Sequence, residues 1–252
     1  MPTLIEACVD SIDSAIEAEL GGADRVELCG ELLQGGVTPS AGLVGAVCER
    51  IKIPVFALVR PRTGDFLYDD DELDVMLRDI ELIRSLNVEG IVIGALTRDG
   101  DIDIGTLYTL IAAAGDMNVT FHRAFDFVRD QPVALEALIE LGVDRVLTSG
   151  GAASALEGAD MLAELVDQGG SDIAILAGGG INASNVAEVV RLSGVKEVHV
   201  RAAGSITSEM THRRSDVTLA RPQQPLGDYD RVMTRADEMR RVVKALGGAV
   251  AS

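Results

Sequence analysis

The chain has 252 residues, 47% of them apolar, and a formal charge of −18 from 40 acidic and 22 basic side chains. That charge repels phosphate backbones and anionic lipid, so nucleic acid and membrane are excluded as partners, and no uncharged apolar run reaches the roughly 18 residues of a membrane span. Three cysteines are too few for a disulfide framework, and an N-terminus running from Met1 and Pro2 straight into an apolar segment, with no basic leader, predicts a cytoplasmic protein with free thiols.

Residues 4–9 alternate Ile5, Ala7 and Val9 with Glu6 and Cys8, the two-residue period of a strand. One phrase then recurs along the chain: Gly22-Ala-Asp-Arg-Val-Glu-Leu28, Asn87-Val-Glu-Gly-Ile-Val-Ile93, Gly142-Val-Asp-Arg-Val-Leu-Thr148 and Gly194-Val-Lys-Glu-Val-His-Val200. It reads as helix stop, turn and strand, with glycine as the left-handed cap and a β-branched run behind it. Strands are predicted near residues 4–9, 25–29, 54–60, 90–96, 118–125, 145–150, 173–178 and 197–202, with starts 21 to 36 residues apart. Such spacing leaves room for one crossover helix each. Eight units predict a closed (β/α)8 TIM-type barrel as a single α/β domain, with an open doubly wound sheet as the alternative. Asp130 before Gln131 and Pro132, and Asn182 with Asn185, mark helix starts.

After the eighth strand the pattern breaks. Residues 1–204 carry the strands and seven helices, while residues 205–252 are an extension, irregular through 207–228 with Pro222 and Pro225. A last helix near 236–246 completes the barrel, with Thr234 and Asp237 as a capping box. A structureless stretch of that length is expected to pack on a partner subunit, giving a homodimer or higher homo-oligomer.

Residues facing the helices must be apolar, so polar residues at alternate strand positions face the barrel interior. That parity turns Glu6, Cys8, Glu27, Cys29, Thr120, His122, His199 and Arg201 inward and ends the third strand at Arg60. Such groups are expensive to desolvate, so stability alone would have placed valine, isoleucine or leucine there. A working site at the C-terminal mouth accounts for them. The structural alternative is an ion-pair network among Glu6, Glu27, Arg60 and Arg201. Adjacent strands lie about 4.8 Å apart, so Cys8 and Cys29 could share one soft ion, Cu(I) above all, although a buried free cysteine also serves as a small hydrophobe. Cys48 falls on a predicted helix and belongs to the core. Lys52, Lys196 and Lys244 sit away from strand ends, which excludes a Schiff-base aldolase.

Glycine-rich turns close strands 6, 7 and 8 at Ser149-Gly150-Gly151, Gly178-Gly179-Gly180 and Gly204-Ser205. They can expose backbone N–H groups to a phosphate, or be tight turns only. In the loop after strand 3, Arg62 and Asp65 can reach across the mouth to an anion or pair with each other before the acidic turn at Asp69 to Glu72. The predicted anion set is Arg62, Gly178, Gly179, Gly180 and Gly204.

Glu6-Ala-Cys-Val-Asp-Ser11, Gly21-Gly-Ala-Asp-Arg-Val-Glu-Leu-Cys29 and Gly35-Gly-Val-Thr-Pro-Ser-Ala-Gly42 resemble the N-terminal signature of the CutC family. Arg60-Pro-Arg-Thr-Gly-Asp-Phe66, Thr120-Phe-His-Arg-Ala-Phe-Asp126, Asp144-Arg-Val-Leu-Thr-Ser-Gly-Gly151 and Ala177-Gly-Gly-Gly-Ile181 are similar to its later motifs in the same order. The resemblance, which runs from about residue 4 to 200, implies a TIM-type barrel, a cytoplasmic homo-oligomer and a role in copper homeostasis, with Cys8 and Cys29 as the copper thiols. Its site motifs fall on Glu6, Glu27, Arg60, Arg62, Asp65, His122, Arg123, Asp126 and His199. Arg201 departs from the pattern, standing where a small serine is expected. Two functions follow. One is Cu(I) binding or buffering. The other is an enzyme acting on a small anionic or phosphorylated metabolite, with Glu6, Glu27, Arg60, His122 and His199 as catalytic groups, and Arg60 and Arg62 positioning the anion.

Overall fold

A computed structural model describes residues 2–219 and 227–249. In chain order the elements are β1 (Leu4–Val9), α1 (Ile12–Gly21), β2 (Arg25–Leu28), α2 (Ala41–Cys48), β3 (Val55–Leu58), α3 (Asp70–Arg84), β4 (Gly90–Ile93), α4 (Ile104–Ala114) and β5 (Asn118–Phe121). They continue with α5 (Gln131–Glu140), β6 (Arg145–Thr148), α6 (Ala159–Gly169), β7 (Ala174–Ala177), α7 (Val186–Ser193), β8 (Glu197–Val200), β9 (Ala203–Thr207), β10 (Asp230–Thr234) and α8 (Ala236–Ala249). Strands β1 to β8 are parallel and close into a barrel in sequence order. This is the (β/α)8 TIM-type barrel, not the open sheet.

The core lies between barrel and helices. Ile5, Ala7 and Val9 of β1, Val26 and Leu28 of β2, and Val198 and Val200 of β8 are buried on that outer side with Met76, Leu107, Leu135 and Leu162 of the helices. Inside the barrel a smaller cluster of Cys8, Cys29, Phe56, Leu58 and Val92 packs separately. The helix punctuation is local chemistry. Asp130 caps α5 through the Val133 N–H with proline in the first turn, and Gly22 ends α1 in the left-handed conformation at φ 94°.

Several boundaries differ from the sequence expectation. Most strands stop sooner, so Cys29, Arg60 and His122 lie just beyond β2, β3 and β5, where the chain starts to form the mouth. Asn182 does not cap α7; Asn185 stands at the cap, without a side-chain bond to the helix, and spends its carbonyl oxygen on the Asn182 N–H. The described residues of the 207–228 stretch form no helix or strand beyond Thr207, but a ribbon that the sequence reading missed flanks them. The chain leaves β8 through Ala202, a non-glycine residue at φ 46°, and builds an antiparallel ribbon in which β9 pairs β10, Gly204 opposite Met233. Pro222 and Pro225 lie outside the described residues. Thr234 makes no capping box with Asp237, because α8 begins at Ala236 and leaves Thr234 one residue short of the cap position; its hydroxyl donates to the Arg201 carbonyl at 3.1 Å, and Glu17 accepts the first helical N–H, from Ala236, at 2.8 Å. Helix α8 packs between α7 and α1, with Met239 and Val242 buried.

Candidate functional site at the barrel mouth

The parallel register decides which inward side chains meet. β1 and β2 pair Glu6 with Arg25 and Cys8 with Glu27, and β8 pairs its His199 with Glu6. Cys8 and Glu27 therefore share a layer, and Cys29 stands one layer nearer the mouth. The Cys8 thiol donates to Glu27 Oε2 at 3.2 Å, and Cys29 to the Val9 carbonyl at 3.6 Å. His199 bridges two carboxylates, with Nδ1 2.7 Å from Glu6 Oε1 and Nε2 3.5 Å from Glu27 Oε2. One donor atom each from Cys8, Glu27 and His199 lie within 4.8 Å of one another. A cavity of about 170 Å³ opens on these groups and on Cys29, Arg60 and His122.

Burial and neighbouring charge set the protonation states. The Cys29 thiol beside it, then burial and the Glu27 charge, push Cys8 well above the ordinary thiol value, so it carries its proton. Burial alone would strip the proton from His199, but the Glu27 carboxylate, Cys8 and the bond to Glu6 hold it well above the usual imidazole value. Glu6 goes the other way: burial would raise it, yet the bond from His199 and the Arg25 charge keep it at about 2. Burial moves Glu27 up. His122 is depressed to about 3 by burial and by the Arg60 charge. Its Nδ1 accepts from the Ala124 N–H at 3.1 Å, which assigns the ring hydrogen to Nε2. That atom has no hydrogen-bond partner.

Beneath the cavity lies an ion-pair network with a membership that the sequence reading missed. Arg25 binds Glu6 at 2.5 Å and Glu197 at 2.7 Å, and Arg145 joins Glu197 at 2.5 Å. Both guanidinium groups lie over the Phe56 ring. Strand parity was the available signal, because Arg25 alternates with Glu27, and Glu197 with His199. The expected network of Glu6, Glu27, Arg60 and Arg201 does not form. Arg60 pairs with no carboxylate among the described residues, and Arg201 faces Asp10 at 3.9 Å.

The predicted anion set is scattered. Arg62 pairs with Glu72 and, at 3.0 Å, with Asp65, and donates to the Leu67 carbonyl, so it orders its own loop. Gly204 belongs to the β9–β10 ladder, with the Arg235 side chain over it. Gly178 is needed for closeness: a Cβ there would collide with Leu147 and press on His199. Gly179 lies against Ser149 and the Arg123 guanidinium, and the Gly180 carbonyl accepts from Asn182 and Asn185. In the turn after β6 the backbone N–H groups are already taken. Asp126 accepts those of Ser149 at 2.9 Å and Gly151 at 3.2 Å, and Thr148 that of Gly150 at 2.9 Å. Arg123 pairs with the same Asp126 at 2.7 Å. Cys48, at the end of α2, is half-buried against the core.

An ionisable cluster at the carboxyl ends of the strands is where barrel proteins keep their function, and this chain is of that class. Within the class, the CutC family model matches residues 3–204, and the chain belongs to the CutC family. It is 48% identical over 216 residues to the copper homeostasis protein cutC homolog of Mus musculus, covering 86% of this chain and 79% of that one. It is 43% identical over 249 residues to a family protein CutC of Chromobacterium violaceum, covering 99% and 100%. Among solved structures, CutC from Streptococcus agalactiae superposes with a TM-score of 0.75 at 32% identity, over 79% of this chain and 98% of that one. Phosphoribosylanthranilate isomerase from Thermotoga maritima, with a TM-score of 0.59 and 11% identity over 98% and 99%, shares the fold alone.

Proposed function

We propose that the barrel mouth binds Cu(I) through Cys8 and Cys29, with His199 as the third donor, and that the protein handles copper in the cytoplasm. The carrying observation is the convergence of the Cys8 sulfur with the His199 imidazole, with the Cys29 thiol in contact one layer nearer the mouth. Sulfur is the soft donor that Cu(I) prefers and imidazole is acceptable to it, so the set fits the ion, whereas the hard Glu27 oxygen does not. Glu27 touches both Cys8 and His199, and its role is to relay to solvent the protons that a metal displaces. The naming of relatives for copper homeostasis supports the reading, and all three cysteines are free thiols, as a reducing compartment requires. Val217 and Leu219, beyond the ribbon, are exposed at 54% and 91%, and their segment is proposed to be covered in a homo-oligomer.

The test is a competition titration against a Cu(I) chelator under reducing conditions, comparing wild type with Cys8→Ser, Cys29→Ser and Cys48→Ser. Loss of either mouth thiol should weaken binding by several orders of magnitude, and Cys48→Ser should leave it intact. Equal affinities in all four proteins, or none in wild type, would reject copper as the ligand.

A further inference from the structure

The thiols occupy only part of the mouth. On the side of β3 to β5 stands Arg60, 6% exposed, with a guanidinium that donates to the Gly35 carbonyl at 3.2 Å, Gly36 at 2.8 Å and Gly64 at 2.7 Å, and stacks on Phe66. Every one of those partners is neutral. Its Nε–H has no acceptor, and among the described residues no carboxylate pairs with it. A buried charge without a counter-ion is costly, and a chain with 40 acidic residues does not lack carboxylates to place there. His122, 5% exposed, lines the same cavity and brings the second unsatisfied donor, its Nε2–H. Asp65 at the rim is taken by Arg62 at 3.0 Å, and Glu27 inside is matched by His199 at 3.5 Å. Among the described residues no acidic group pairs with Arg60.

The inner cavity shares Gly35, Arg60, Phe66 and Arg123 with a wider opening of about 630 Å³, which adds Arg98 and Phe127. Arg98 makes no ion pair among the described residues, and Phe127 is 69% exposed. A strongly acidic protein thus presents a locally cationic entrance with aromatic walls.

We infer that this half of the mouth is a binding site for a small organic oxyanion, held between the His122 Nε2–H and the Arg60 guanidinium and entered past Arg98 and Arg123. The ligand class is a metabolite-sized carboxylate or phosphate ester, with the rest of the molecule lying against Phe66 and Phe127. The site goes beyond the copper reading and uses none of its donors. It also lies away from the turns after β7 and β8, where barrels often hold phosphate.

Calorimetric titration of the metal-free, reduced, full-length protein with inorganic phosphate and, separately, with pyruvate tests it. At least one probe should bind, and which one does assigns phosphate or carboxylate as the recognised group. His122→Phe keeps the ring against Phe66 and loses the donor, so affinity should fall about ten- to a hundredfold, the worth of a hydrogen bond to a charged group; it also leaves the Ala124 N–H without its acceptor, so binding is compared well below the variant's own melting temperature. Arg98→Gln, at an exposed position, should weaken binding several-fold. Cys8→Ser should bind the anion as wild type does, which separates this site from copper binding. Absence of binding by both probes at millimolar concentration, or wild-type affinity in His122→Phe and Arg98→Gln, would overturn the inference.

Discussion

His199 Nδ1 lies 2.7 Å from Glu6 Oε1, and this bond joins the thiol-bearing mouth to the ion pairs buried beneath it. A side chain at the mouth is thereby held by a carboxylate with a second duty, neutralising Arg25 under the cavity floor.

Glu6→Gln should destabilise the fold by about 3–5 kcal/mol, because it leaves the buried Arg25 with only Glu197, which Arg145 also uses. Denaturant unfolding measures it. A variant as stable as wild type would show that the network contributes nothing to the barrel.

Two histidines should give opposite limbs to the pH dependence of stability. The folded His199 pKa is raised by Glu27, Cys8 and Glu6 against burial, so its contribution is complete below about 6.5, the unfolded value, and is lost as pH rises toward the folded one. His122 is depressed to about 3 by burial and Arg60, so stability is lost as pH falls from about 6.5 to about 3. Each limb has a slope of up to roughly 1.4 kcal/mol per pH unit. In unfolding curves taken across pH, His199→Gln should flatten the alkaline limb and His122→Phe the acid one. Unchanged limbs in both variants would contradict the assignment.

Copper binding should release protons. Cys8 is held as a thiol by Cys29, burial and Glu27, and a metal takes only the thiolate. Titrations with Cu(I) in two buffers of different ionisation enthalpy should give different heats, with affinity rising as pH rises. Buffer-independent heats would place the metal elsewhere than on Cys8.

Gly94→Ala should disturb the anion site without touching it directly, since a Cβ at that position would run into the His122 ring. The expected cost is about 1–3 kcal/mol of stability from overpacking, together with weaker oxyanion binding. Full stability and wild-type binding would mean that His122 has more freedom than its burial implies.

Light scattering at micromolar concentration should show a homodimer or larger assembly, and Leu219→Glu with Val217→Glu should dissociate it. A wild-type monomer would leave residues 207–219 as a solvated arm.

Much of this was legible in the sequence because it depends on local periods. Alternation in a strand is fixed by backbone geometry, so the inward direction of Glu6, Cys8, Glu27, His122 and His199 follows from their apolar neighbours alone. The repeated glycine, turn and β-branched run likewise marked four of the βα units, and the spacing between them left room for the rest. Pairing across the barrel is another matter. Register comes from closing strands far apart in sequence, and it placed Cys8 beside Glu27 instead of level with Cys29, and Arg25 beneath Glu6. The fate of loop groups was also hidden, because hydrogen-bond demand is settled by whichever partner arrives in three dimensions. Asp126 consumed the N–H groups after β6 and Glu72 captured Arg62, while Arg60 and His122, which looked no different in the sequence, kept donors to spare. The β9–β10 ribbon escaped notice for a related reason: β9 is nowhere fully buried, so no apolar stripe marks it. Side-chain direction is a property of the chain; side-chain partnership is a property of the closed barrel.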